Sequence, residues 1–135
     1  MENINLVELA KNARKMSYSK YSGFAVGSAL LTKSGVVYTG CNVENASYSL
    51  TNCAERTAFF KAVSDGKKDF EAIAIVGGDI HTNEYGKCVP CGACMQVMSE
   101  FCDDQFKIIL CDSNDGVTTI TLKDLMPYRF ELLEK

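Results

Sequence analysis

Three cysteines and one glutamate carry the chemistry legible in this sequence. Cys91 and Cys94 stand three apart behind Pro90, and Cys53 precedes Glu55 by two. A spacing of three places two thiols on one helical face. Thiolates are soft ligands that suit zinc, and three of them leave a tetrahedral ion one open position that can hold water, as in catalytic rather than structural sites. Glu55 is close enough in sequence to lean over such a site without ligating, where a carboxylate moves protons between water and a substrate. The same residues have a plainer use, because Asn52-Cys53-Ala54-Glu55 also has the spacing of a capping box.

Cys88 adds an ambiguity, since Cys88-Val89-Pro90-Cys91 is itself a CxxC pair. Pro90 directly before Cys91 favours Cys91 with Cys94 and leaves Cys88 as a nearby oxidisable thiol. Cys41, Cys102 and Cys111 read as small buried apolar groups, and His81, the only histidine, as a loop residue. Seven cysteines, an odd number, with no export signal ahead of them, speak against a disulfide framework.

The elements that must position these groups follow from periodicity. Leu6, Leu9, Ala10, Ala13 and Met16 recur three or four apart, which predicts an amphipathic helix over 6–16. Phe24 to Thr32 and Val36 to Asn42 read as strands joined by Lys33-Ser34-Gly35, and Asn45 to Thr51 as a polar loop. Cys53 to Val63 reads as a helix with Asn52 as N-cap and Gly66 beyond its end. Phe70 to Val76 is a strand stopped by Gly77-Gly78, and 79–89 a loop. Pro90 or Cys91 opens a helix reaching Phe101. Phe106 to Cys111 is a strand, 112–116 a turn, Val117 to Ile120 a short strand, Leu122 to Met126 a helical turn, and Pro127 begins the tail. The order αββαβαββα predicts an α/β fold, one mixed sheet with helices on both faces. Cys53, Cys91 and Cys94 then sit at two helix starts, where the positive end of the helix favours thiolate.

Composition sets the bounds. The 135 residues predict one domain over 1–135, and 47% apolar with 23% charged residues is an ordinary globular balance. A formal charge of −3 and no basic stripe argue against a nucleic-acid partner. The absence of a long apolar run and of a cationic leader predicts a cytoplasmic protein with no membrane contact.

Taken with its flanks, Asn42-Val43-Glu44-Asn45-Ala46 ahead and Gln96-Val97 behind, the pattern Cys53-Ala54-Glu55 with Pro90-Cys91-Gly92-Ala93-Cys94 resembles the signature of the small cytidine deaminases. The similarity runs from about Ala10 to Phe130. It implies a three-layer αβα cytidine-deaminase-like fold, one zinc per chain on Cys53, Cys91 and Cys94, and Glu55 as proton shuttle. It implies that Asn42 and Glu44 hold the ribose hydroxyls, that Phe24 packs on the base and that the Ala54 backbone meets the pyrimidine edge. Tyr48 and Phe130 match aromatics that a neighbouring subunit brings to shared active sites in a homotetramer. The implied reaction is hydrolysis at C4 of cytidine or deoxycytidine to uridine or deoxyuridine and ammonia, a step of pyrimidine salvage.

The sequence departs from that family at Met95, where Arg is common, and at Lys20 and Ser28, which replace Pro and Ala. Three thiolates on zinc leave a net charge of −1, which Arg56 and the two helix ends remain to offset. Other readings are a structural zinc module with Cys88 as fourth ligand, and a thiol redox protein, which leaves Cys53 unexplained. A deaminase of an aminoacyl-cytosine antibiotic or a free base is the nearest alternative; Asn42 and Glu44 favour a nucleoside with free ribose hydroxyls.

Overall fold

The computed structural model describes residues 3–82, 84–114 and 116–132. Asp115 of the expected turn and Leu133 to Lys135 of the expected tail lie outside the described residues, as do Met1, Glu2 and Asn83. The elements are α1 (Asn3–Arg14), β1 (Phe24–Thr32), β2 (Val37–Cys41), α2 (Ala54–Ser64), β3 (Phe70–Asp79), α3 (Gly92–Phe101), β4 (Lys107–Cys111), β5 (Val117–Thr121) and α4 (Leu122–Leu125). A single 3₁₀ turn, Tyr48–Leu50, lies within the loop read as irregular from sequence.

The strands form one sheet in the order β2-β1-β3-β4-β5. β1 runs antiparallel to both β2 and β3, β3 is parallel to β4, and β4 is antiparallel to β5. Successive side chains of a strand point to opposite faces, so the apolar run of β3 serves two cores. Ile73 and Ile75 face Phe59 and Ala58 of α2 and Met98 of α3. Ala72, Ala74 and Val76 face Leu6, Val7 and Ala10 of α1. The result is the expected three-layer αβα arrangement. Phe59, fully buried, packs edge-on to Phe70 at 5.0 Å and lies 6.0 Å from Phe106; burial of such a ring is worth about 2–3 kcal/mol.

Two glycines let the helices lie flat on the sheet. A Cβ at Gly27 would come within 2.0 Å of the Ala10 carbonyl of α1, and one at Gly40 within 2.5 Å of the Ala54 carbonyl of α2. The topology then brings two helix starts together. Because β1 is antiparallel to both β2 and β3, those two strands run the same way. The segments that leave them emerge at one end of the sheet, and there α2 and α3 begin.

Several boundaries differ from the sequence reading by a residue or more, and three of them bear on packing or the site. β3 continues through Gly77 and Gly78 to Asp79 instead of stopping at Val76, because its ladder with β1 persists as Val26–Gly77, Ala25–Gly78 and Phe24–Asp79. α2 begins at Ala54 with Cys53 as N-cap, displacing Asn52 from that position. α1 ends at Arg14, and Met16, 77% exposed, packs on nothing in the core.

Candidate active site

Cys53 and Cys91 are the N-caps of α2 and α3, both in extended backbone conformation, and neither thiol caps its own helix. The thiols are thus free to meet across the gap. Cys53 Sγ lies 3.8 Å from Cys91 Sγ, which lies 3.7 Å from Cys94 Sγ, and the three sulfurs are within 4.8 Å of one another. A tetrahedral zinc with bonds of about 2.3 Å holds its sulfur ligands about 3.8 Å apart, which the Cys53–Cys91 and Cys91–Cys94 spacings match. Cys88 does not belong to this group. Its Sγ packs where a Cβ at Gly77 would lie, 2.9 Å away, beside the Phe24 ring, and burial pushes its thiol up to about 12.

The cluster is electrostatically biased toward the charged state at Cys53. The hydrogen bond from Cys94, with further bonds from Arg56 and Cys91, pulls the Cys53 thiol down to about 5. The Cys94 thiol is held above its ordinary value, first because its proton serves Cys53 and then by burial. Arg56 Nη2 donates to Cys53 Sγ at 3.3 Å, and this contact keeps the guanidinium firmly charged. Arg56 therefore stands where positive charge offsets a thiolate-rich site. Met95, half-buried in α3, does not line the adjoining cleft.

Glu55 is the second residue of α2, only 4% exposed. With Cys53 at the N-cap, the capping box read from Asn52 to Glu55 does not form. Burial pushes the Glu55 carboxyl up to about 7, and the negative charge of Cys53 adds to the rise. A carboxyl poised there exchanges protons in both directions near neutral pH.

Asn42 and Glu44 are buried, Asn42 tied to the first residues of β1 and Glu44 to the loop before it. Asn42 Oδ1 accepts from Val26 N at 2.9 Å and from Ser17 Oγ at 2.5 Å, and its Nδ2 donates to Phe24 O at 2.9 Å. One Nδ2 hydrogen remains. Glu44 Oε1 accepts from the backbone of Tyr21 and Ser22 at 3.1 and 3.0 Å, and Oε2 accepts from the Ser22 hydroxyl. The Ser22 hydroxyl in particular holds the Glu44 carboxyl below its usual value. Oε2 keeps a free lone pair. The pair thus offers one donor and one acceptor, in fixed orientation, to a neighbouring hydroxyl.

A cleft of about 330 Å³ gathers these groups. Phe24, Asn42, Glu44, Tyr48, Cys53, Ala54, Glu55 and Cys91 all line it. Of the residues singled out from sequence, Cys94, Arg56 and Phe130 do not; Cys94 and Arg56 reach the site through the thiol cluster, and Phe130 stands apart. It is 66% exposed, and its carbonyl accepts from Gln96 Nε2 at 3.2 Å. Ser17 and Ser22, which orient Asn42 and Glu44, escape a reading of sequence. Their one signal is a run of small polar residues ahead of a strand, and many loops share it.

Residues 1–110 match the family described as "Cytidine and deoxycytidylate deaminase zinc-binding region". The chain belongs to the cytidine deaminase family. The match is borne by full-length relatives among the cytidine deaminases. Cytidine deaminase of Sporosarcina psychrophila is 46% identical over 93% of this chain and 88% of its own length. That of Halalkalibacterium halodurans is 46% identical over 96% and 95%. The crystal structure of cytidine deaminase from Burkholderia pseudomallei superposes with a TM-score of 0.87 at 46% identity, covering 96% of this chain and 100% of that one. Among the described residues, no helix is long and apolar enough to cross a membrane.

Proposed function

We propose that this cytidine deaminase family member catalyses hydrolytic deamination of cytidine and deoxycytidine to uridine and deoxyuridine with release of ammonia, as one domain spanning residues 1–135. The observation that carries the reading is Glu55, a buried carboxyl at about 7, two residues from a three-thiol cluster and in one cleft with Asn42 and Glu44.

Cys53, Cys91 and Cys94 are the zinc ligands in this reading. When bound, zinc supplies activation of water at neutral pH. The remaining steps belong to the chain. Glu55 takes a proton from the attacking water, places it on N3 of the pyrimidine and carries a second to the departing amine. Its position near neutrality lets one group do both. Asn42 donates to a ribose hydroxyl and Glu44 accepts from one. The Phe24 ring flanks the base, and the Ala54 N–H, unpaired in the first turn of α2, meets the pyrimidine edge. Arg56 keeps the charge of the thiolate cluster in check.

The reading includes a homotetramer with shared sites. Tyr48 stands 64% exposed at the cleft mouth, while Tyr128 and Phe130 leave an exposed aromatic pair on the tail. Such groups on an isolated chain form a sticky patch that a neighbouring copy covers. Seven free cysteines suit the reducing cytoplasm, where the ligand thiols persist.

An ultraviolet assay of zinc-loaded protein against cytidine, deoxycytidine, cytosine and adenosine tests the proposal. Loss of absorbance with ammonia release from the two cytosine nucleosides is expected. Turnover of the free base alone, or of none of the four, overturns it.

A further inference from the structure

Behind Asn42 lies a second cleft, of about 490 Å³, sharing no lining residue with the first. Arg14, Lys15 and Lys20 line it together with Ser17 and Ser19, and no carboxylate does among the described residues. Arg14 is only 9% exposed. Its Nε donates to Ala25 O at 3.0 Å and its Nη2 to Gly78 O and Asp79 O at 2.9 and 2.6 Å. Nη1 has no hydrogen-bond acceptor among the described residues. The Tyr85 ring faces the guanidinium 5.0 Å from its carbon, but no carboxylate neutralises it among the described residues, so the buried charge still attracts an anion. Lys15 and Lys20 make no ion pair among the described residues. The lining thus offers two ammoniums, a guanidinium nitrogen and two hydroxyls.

We propose that this cleft binds a phosphate-bearing anion and that its occupancy weakens the grip on the nucleoside sugar. The ionised oxygens of a phosphate accept hydrogen bonds, and this lining is rich in charged donors. The link to the first cleft is a hydroxyl relay. Ser17 Oγ lies 2.5 Å from Asn42 Oδ1 and 3.0 Å from Ser19 Oγ. Both contacts draw on the one Ser17 proton, which Asn42 Oδ1 holds at the shorter distance. An anion in the cleft draws this proton toward itself, and Asn42 Oδ1 loses one of its two donors, keeping Val26 N. KM for the nucleoside then rises, and by linkage the nucleoside weakens the anion equally. Anion binding stands on the cleft alone; the effect on KM rests on the proposed role of Asn42.

The test is calorimetric titration of zinc-loaded protein with inorganic phosphate, in the parent and in the double variant Lys15→Gln, Lys20→Gln. KM for cytidine is measured alongside, with sodium chloride at matched ionic strength as control. Saturable binding in the parent, weaker by roughly tenfold or more in the variant, is expected from the loss of two charge-assisted contacts. Phosphate should raise KM in the parent and leave it unmoved in the variant, whose activity without phosphate matches the parent. Uridine 5′-monophosphate in parallel separates the sources: tighter binding than phosphate identifies a nucleotide, and no gain identifies the free ion. Binding by neither probe, or equal binding in parent and variant, overturns the site. Lysine-dependent binding with unchanged KM overturns the coupling. Calorimetry reads the site whether or not cytidine is the substrate.

Discussion

Glu55→Gln separates proton transfer from every structural use of Glu55. The side chain is 4% exposed and sits second in α2, so a neutral amide of equal size fills the same space. Cys53 holds the N-cap without a side-chain cap bond, and the bonds the Glu55 carboxyl accepts, from its own backbone N–H and from Cys94, can still be accepted by the glutamine Oε1. Stability should change by less than about 1 kcal/mol, the size of an ordinary cap or neutral hydrogen bond. The chemistry should suffer far more. A carboxyl held at about 7 is roughly half ionised at neutral pH and serves as base and acid in turn, whereas glutamine does neither. General acid–base catalysis is worth about 100- to 10,000-fold, or about 2.7 to 5.4 kcal/mol in barrier, and the variant loses it at more than one transfer. The assay is steady-state deamination of cytidine with thermal unfolding and zinc content measured on the same preparation. A kcat reduced at least 100-fold at near-parental KM, melting temperature and zinc is expected. A variant that keeps its zinc and turns over cytidine within tenfold of the parent refutes the reasoning.

Cys53→Ala, Cys91→Ala and Cys94→Ala should each lose zinc by elemental analysis, whereas Cys88→Ala should retain it; the reverse for Cys88 and Cys94 would mean the other CxxC pair holds the ion. Ser22→Ala removes the donor that holds Glu44 low. A carboxyl lowered by folding contributes stability above its unfolded value of about 4.3 and loses it as pH falls through the folded value. The variant should therefore be less stable than the parent at neutral pH and converge with it in strong acid, as read by denaturant unfolding across pH. Gly77→Ala places a methyl 2.9 Å from Cys88 Sγ and 3.0 Å from Phe24 Cε2, so the cleft wall must shift and KM for cytidine rise; an unchanged KM would show that Phe24 does not set the wall. Phe130→Ala should raise KM or weaken assembly with zinc retained, checked by sedimentation beside kinetics, and a monomer that deaminates normally would show a site complete within one chain.

The periodicities of the sequence were enough for the order of helices and strands, because two- and nearly fourfold spacing of apolar residues reflects which face of each element is buried. Cys53, Glu55, Cys91 and Cys94 were legible for a different reason: the roles proposed for them, metal ligation and proton transfer, need chemically specific residue types at short fixed spacings. The site's electrostatics were decided only by tertiary structure. Whether Glu55 caps a helix or stands buried near neutrality depends on Cys53 taking the N-cap, a displacement of one residue that propensity does not resolve. Whether Cys88 or Cys94 completes the thiol cluster depends on where α3 begins and on Gly77 making room for Cys88. The meeting of α2 and α3 follows from β2 and β3 running the same way on either side of β1, a long-range pairing no local signal encodes. Ser17 and Ser22 became visible as partners of Asn42 and Glu44 for the same reason. Hydrogen bonds between residues some twenty positions apart are formed by the packing of the chain, and local sequence carries little trace of them.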